Sequence, residues 1–225
     1  MDSQSYWNQQ HDKYAQADWI DKPTYFAQWA IQYFPAKGKL LELGAGQGQD
    51  SRFFAEKGYH VTASDFSDTA LGVARQKHPS SINFQRIDLS KPLPFVDGVF
   101  DIVYAHLSLH YFDMPTTEKI FGEIRRVLKD GGVLAALFNS TGDPEIAEGR
   151  QVEPDFIDIN GIKKRYFNPD SAFTFAKEFE VLAVDDKGTT YKDEAAGVHN
   201  LIRLIAKKPQ LELKPGRMKR IRKST

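Results

Sequence analysis

The chain has 225 residues, 41% of them hydrophobic and 27% charged, enough to bury the core of one generous domain without a disulfide or metal staple. It contains no cysteine, which excludes thiol nucleophiles, disulfides and cysteine-type zinc sites and fits a reducing cytoplasm. Thirty basic residues balance thirty acidic ones, but Lys207 to Thr225 hold eight Lys/Arg and one Glu, leaving 22 basic against 29 acidic residues before them, a net of about −7.

The first residues, Met1-Asp2-Ser3-Gln4-Ser5, are polar and lack the charged-then-apolar pattern of a signal peptide. No apolar stretch approaches the roughly 20 residues of a membrane helix, so a cytoplasmic protein without a membrane partner is expected. From Pro23 to Phe34, Tyr25, Phe26, Trp29, Ala30, Tyr33 and Phe34 recur at helical spacing. Short apolar runs then predict buried strands at Lys39–Leu43, His60–Ser64, Ile82–Ile87, Phe100–Ala105 and Val133–Phe138. Helices are predicted between them at about Asp50–Lys57, Asp68–Lys77 and Thr116–Leu128, the last closed by the glycines of Lys129-Asp130-Gly131-Gly132. Such alternation implies a mostly parallel sheet with helices on both faces, an α/β fold.

The pattern changes after Phe138. Asn139–Asp158 is polar and broken by Gly142, Pro144, Gly149 and Pro154, and reads as a long excursion of the lid or disordered kind. Ile162–Phe167, a helix near Pro169–Lys177, and the runs Phe179–Val184 and Leu201–Ala206 finish the fold, the last two paired antiparallel because no long helix joins them. We expect one domain over residues 1–208, with an inserted loop at 139–160 and a basic tail at 209–225 that is solvated or, as the alternative, binds a polyanion. The acidic body does not resemble a nucleic-acid platform.

Candidate chemistry gathers at the strand ends, where open α/β sheets bind ligands. Leu43-Gly44-Ala45-Gly46-Gln47-Gly48 is a strand end running into a glycine turn and a helix start. Its Gly-x-Gly-x-Gly spacing departs from the dinucleotide fingerprint, which would need a glycine at Gln49. The glycines admit positive φ angles and close ligand approach, and the helix N-terminus favours an anionic group. Asp65 ends the second strand 21 residues past Gly44, where a carboxylate can accept from both hydroxyls of a ribose. Helix capping is its blander role, one that Ser67 or Asp68 could fill. Phe66 could stack on a base or fill the core. Asp88-Leu89 ends the third strand, where Asp88 could accept from a purine amine or simply make a turn. After the fourth strand, His106 and His110 could act as a base, or be hydrogen-bonded helix-face histidines, with Tyr111 beside them. His-Leu-Ser-Leu-His lacks the glutamate of the zinc-protease motif, so no metal is assigned. The chain has neither a Gly-x-Ser-x-Gly elbow nor a P-loop.

Leu40–Ser51, Asp65, Asp88-Leu89, Leu93–Asp101, Leu107–Tyr111 and Leu128–Leu134 together resemble the class I S-adenosylmethionine-dependent methyltransferases. The resemblance implies a Rossmann-like seven-stranded sheet with a C-terminal antiparallel hairpin, S-adenosylmethionine as cofactor, and methyl transfer to O, N or S of a small-molecule acceptor. It places the methionine end of the cofactor on Gly44, Ala45, Gly46 and Gly48 above Glu42, the ribose on Asp65, and the adenine beside Phe66, Asp88 and Leu89. Ala105 and His106 would lie beside the transferred methyl, with His106, His110 and Tyr111 as catalytic candidates. Residues 1–34 would cover the site through Tyr6, Trp7, His11 or Tyr14, or instead form a docked surface helix. A nicotinamide oxidoreductase, a non-catalytic cofactor binder and a nucleic-acid methyltransferase are the competing readings. The first conflicts with the glycine spacing, and the last with the absence of the Asp/Asn-Pro-Pro-Tyr/Phe motif at Ala105-His106-Leu107-Ser108.

Overall fold

The computed structural model describes residues 6–10, 20–78, 81–191 and 200–210. The expectations for His11, Tyr14 and most of the basic tail fall outside these residues. Residues 6–10 are helical. Helix α1 (Tyr25–Ala30) begins at Thr24, whose hydroxyl accepts from the Ala27 N–H, and continues into a 3₁₀ turn at Ile31–Tyr33. Strand β1 (Lys39–Leu43), α2 (Gln49–Glu56), β2 (His60–Asp65), α3 (Asp68–Lys77) and β3 (Asn83–Arg86) follow, then β4 (Phe100–His106), α4 (Met114–Val127) and β5 (Leu128–Phe138). The chain ends with α5 (Pro169–Phe175), β9 (Glu180–Gly188) and β10 (Leu201–Lys207), preceded by three short strands described below.

The main sheet has seven strands in the order β3-β2-β1-β4-β5-β10-β9. The β1, β2, β3, β4 and β5 pairings are parallel, and β10 runs antiparallel to both β5 and β9. Period-two alternation gives each strand two buried faces. Leu40, Val61, Ile102 and Ala135 pack with Phe26, Phe54 and Leu71 of α1, α2 and α3. Leu41, Val103, Leu134 and Leu204 pack with Ile120, Phe121 and Ile124 of α4 and Ala172 of α5. The sequence order reverses direction at β1, flanked by β2 and β4, so the carboxyl ends of these strands open the crevice that receives a ligand.

Two elements differ from the sequence expectation. Helix α4 starts at Met114 behind an Asp113 cap and ends at Val127, before the glycines. Leu128 is fully buried and already extended, paired with Phe100. The glycines serve the sheet instead of the helix: Gly131 takes φ +78° and donates its N–H to Lys208 O at 2.9 Å. Pairing then resumes at Ile102 with Val133.

The second difference is the excursion. After a 3₁₀ turn at Pro144–Glu148, the chain forms a three-stranded antiparallel sheet of β6 (Arg150–Glu153), β7 (Phe156–Ile159) and β8 (Ile162–Arg165). Asn160 and Gly161, at φ +53° and +86°, make the tight turn between β7 and β8. Ile162–Phe167 therefore supplies a strand to this small sheet and none to the main one. Among the described residues no helix is long and apolar enough to cross a membrane, and no group of three or more His, Asp or Glu side chains could hold a metal ion.

Candidate active site

A cavity of about 690 Å³ opens at the carboxyl ends of β1, β2, β3 and β4. Its floor begins with the glycine turn. Gly44, Gly46 and Gly48 all have positive φ, at +75°, +55° and +83°, a region that side chains with a Cβ enter only under strain. Gly44 and Ala45 donate their N–H groups to Ser64 O at 2.8 and 2.7 Å, which ties the turn to β2. A Cβ on Gly44 would stand 2.3 Å from Ser108 Cβ, and one on Gly48 would stand 2.8 Å from the His78 ring. Gly44 and Gly46 line the cavity; Gly48 does not, and caps α2 from behind.

Asp65 stands across from the turn and fixes it. Its Oδ2 accepts from Gly46 N at 2.8 Å and its Oδ1 from Ser67 N at 2.8 Å. Helix capping by the Asp65 side chain is not needed, because the Ser67 hydroxyl accepts from Ala70 N. Each carboxylate oxygen keeps a further lone pair for a ligand hydroxyl. Phe66, Asp88 and Leu89 extend this wall. Asp88 also makes a local turn, accepting from Ser90 N at 2.9 Å and Ser90 Oγ at 2.7 Å.

Beneath the turn, Glu42 is 3% exposed and accepts from Ser51 Oγ at 2.5 Å. Burial holds its carboxyl well above the ordinary range, the nearby charges of Asp50 and Asp65 add to this, and the Ser51 hydrogen bond partly offsets it. Asp50 is buried at the start of α2 and accepts from Thr24 N, Thr24 Oγ1 and Tyr104 Oη, each at 2.7 Å. This knot docks α1 against the cavity. Thr24 and Asp50 were not among the sequence candidates; an acidic residue in the first turn of the helix after the glycines was the available signal. The same holds for His78, whose ring donates to Gln47 O at 2.8 Å and braces the turn from α3.

Aromatic side chains line the cavity as well. Tyr111 and Trp7 both line the cavity and meet edge to face, ring centroids 4.9 Å apart. Phe112, Tyr191, Ile162 and Lys163 line it too. The last two come from β8, which the sequence reading left out of the site. Ile159-Asn160-Gly161-Ile162 carried the signal, because Asn-Gly between apolar residues is a strong hairpin mark. His106, which ends β4, and Leu107 and Ser108 also line the cavity. Leu107 takes φ +52°, an unusual value for leucine, and Ser108 Oγ donates to Leu43 O at 2.5 Å.

Two candidates lie elsewhere. Ala105 is fully buried within β4, paired with Leu43 and Ala136, and presents no surface to the cavity. His110 is 1% exposed and off the cavity wall, its ring 4.2 Å from that of Tyr111. Burial, followed by the charges of Lys164 and His106, pushes its pKa down to about 3. Among the described residues neither ring nitrogen has a hydrogen-bond partner. The catalytic candidate His110 thus lies in the interior, beside Tyr111 and off the cavity wall.

Residues 41–136 match the family model described as a methyltransferase domain. An uncharacterized methyltransferase of Synechocystis sp. is 36% identical over 97 residues, covering 43% of this chain and 45% of that protein. A malonyl-[acyl-carrier protein] O-methyltransferase of Pectobacterium atrosepticum is 32% identical over 110 residues, covering 49% of this chain and 41% of that protein. The chain thus spans about half the length of the curated relatives it matches. The fold matches the Burkholderia thailandensis 1,6-didemethyltoxoflavin-N1-methyltransferase, solved with that acceptor and S-adenosylhomocysteine, at a TM-score of 0.70 and 16% identity, over 92% of this chain and 85% of that one. Residues 41–136 are thus similar to a methyltransferase domain, and the sheet that contains them has the fold of solved S-adenosylmethionine-dependent methyltransferases.

Proposed function

We propose that the protein transfers the methyl group of S-adenosylmethionine to O, N or S of a small-molecule acceptor in the cytoplasm. The observation that carries this reading is one cavity at the strand ends whose lining combines the glycine turn, the carboxylates Glu42, Asp50, Asp65 and Asp88, and aromatic rings. The carboxylates fit a ligand that bears an ammonium and a sulfonium. Crowded anions there hold Glu42 partly against its own charge, and a bound cation would relieve that repulsion.

In this assignment Gly44, Ala45 and Gly46 hold the amino-acid end of the cofactor by their backbone, with Glu42 beneath. Asp65 takes the ribose hydroxyls, and Phe66, Asp88 and Leu89 border the adenine. Gly48 and His78 act through the shape of the turn. When bound, the cofactor supplies a methyl already activated on sulfur. The chain's own task is to align the acceptor and exclude water, and alignment of this kind is worth about 7–11 kcal/mol. A positioned base adds a further factor of roughly 10² to 10⁴. We assign that role to His106 and Tyr111, which line the cavity, and leave out His110, which does not. The similar Pectobacterium protein is named an O-methyltransferase and the Burkholderia structural neighbour an N1-methyltransferase, so these names leave the acceptor atom of this chain open.

Calorimetric titration is the test. S-adenosylmethionine and S-adenosylhomocysteine should bind and NAD should not; the reverse order would replace a methyltransferase with an oxidoreductase. Asp65→Ala, which removes charge-assisted hydrogen bonds, should weaken cofactor binding about 100-fold, and unchanged affinity would end the assignment. Methyl transfer to a panel of phenols, amines and thiols separates an enzyme from a binder. On any acceptor it turns over, undiminished rate in Tyr111→Phe would remove the tyrosine hydroxyl from the chemistry.

A further inference from the structure

Strand β8 reads Ile162-Lys163-Lys164-Arg165, three successive cations in a strand that reaches the cavity lining. Two of them are committed to carboxylates within the excursion. Lys164 Nζ binds both oxygens of Glu145, at 2.8 and 2.9 Å. Arg165 is 2% exposed and holds Glu153, with further bonds to the carbonyls of Phe112 and Pro154. Lys163 is different. It lines the cavity, is exposed, and makes no ion pair or hydrogen bond with any carboxylate among the described residues. Its cross-strand neighbour Asp158 is already engaged, accepting from Gly161 N at 2.8 Å and facing Arg150 at 3.5 Å.

Lys163 is the one Lys or Arg among the described lining residues, which also include the carboxylates of Glu42, Asp50, Asp65 and Asp88. A cation without a carboxylate partner, in a cavity lined also by Trp7, Tyr111, Phe112 and Tyr191, calls for a ligand that is flat, largely apolar and singly anionic. A phosphate would draw more donors, commonly an arginine fork or a helix N-terminus, whereas one ammonium matches one carboxylate. We propose that Lys163 anchors the carboxylate of a planar aromatic acid, which is the substrate class of this site, with the ring held by the aromatic side chains of the lining. The assignment rests on the methyltransferase reading and adds the acceptor to it.

The test uses the full chain saturated with S-adenosylhomocysteine, with benzoate and its neutral isostere benzamide as probes in ligand-observed NMR titrations. Benzoate should bind the unaltered protein at least about fivefold more tightly than benzamide, the size of a partly exposed charge pair. Lys163→Met should abolish that preference and Lys163→Arg should retain it. S-adenosylhomocysteine affinity should stay within about twofold in both variants, which also certifies their fold. Equal affinities for the two probes in the unaltered protein, or a preference that survives in Lys163→Met, would overturn the proposal and leave the methyltransferase reading standing. Failure of S-adenosylhomocysteine to bind the unaltered protein would instead overturn both.

Discussion

Glu42 sits where the fold itself discourages its charge. Burial comes first among the causes, then Asp50, and the Ser51 hydroxyl and the Asp65 charge follow. An acid whose folded pKa is raised binds its proton more tightly folded than unfolded. Its favourable contribution is full below the unfolded value of 4.5 and is lost as pH rises through the raised folded value. At neutral pH the empty site thus carries strain, which a cationic ligand releases by lowering the Glu42 pKa. Binding of S-adenosylmethionine should therefore expel protons, and affinity should rise with pH across the interval between the free and bound pKa values. Calorimetry in two buffers of different ionisation enthalpy measures this directly. Glu42→Gln should abolish the proton release and raise the melting temperature of the ligand-free protein at pH 7. A variant that released as many protons as the original would place the titrating group elsewhere. None of this was legible in Leu40–Leu43, because a glutamate closing an apolar run says nothing about which charges later surround it. Asp65 was legible, since its distance along the chain from the glycines fixes its place on the adjacent strand.

Among the elements, the parallel strands were the easiest to read and the three-stranded excursion the hardest. Strands β1, β2, β4 and β5 are buried on both faces, so their sequences are apolar runs with glycine or acidic punctuation. Strands β6, β7 and β8 have four residues each, and β6 pairs with β7 through a register shift. Their hold on the body of the protein is polar: Arg165 links β8 to Glu153, Pro154 O and Phe112 O, and its backbone N–H reaches His110 O at 2.6 Å. A buried arginine serving as a peg leaves no periodic signal. Removing that peg should act locally. Arg165→Met keeps the volume and drops the donors, at a cost of about 1–3 kcal/mol. Hydrogen exchange should quicken across residues 150–165 and stay unchanged in β1 and β4. Uniform acceleration would show that the small sheet and the main sheet open as one unit.

For the molecule as a whole, the α/β class and the antiparallel end follow from the change of pattern after Phe138, and the structure agrees in both. The lining of the cavity was not legible in the same way. Its carboxylates Glu42, Asp65 and Asp88 lie at or just past the ends of three consecutive strands, in the best-patterned part of the sequence. Other lining residues come from places as far apart as Trp7, Tyr111, Ile162 and Tyr191. Only the closed fold brings these together, and no local spacing records it. His110 shows the same limit from the other direction. Its neighbours in sequence line the site, yet its own ring is sealed inside.

The position of β10 bears on the order in which the protein can be assembled. It is the last strand among the described residues, yet it lies inside the sheet, between β5 and β9. Until residues 201–207 have left the ribosome, β5 keeps an open edge of apolar residues, Val133 to Phe138, and β9 lacks its β10 partner. Unpaired edges of this kind are sticky. The main sheet therefore closes only after β10 has been made, and a nascent chain arrested before Leu201 would offer its neighbours an edge that the closed sheet hides.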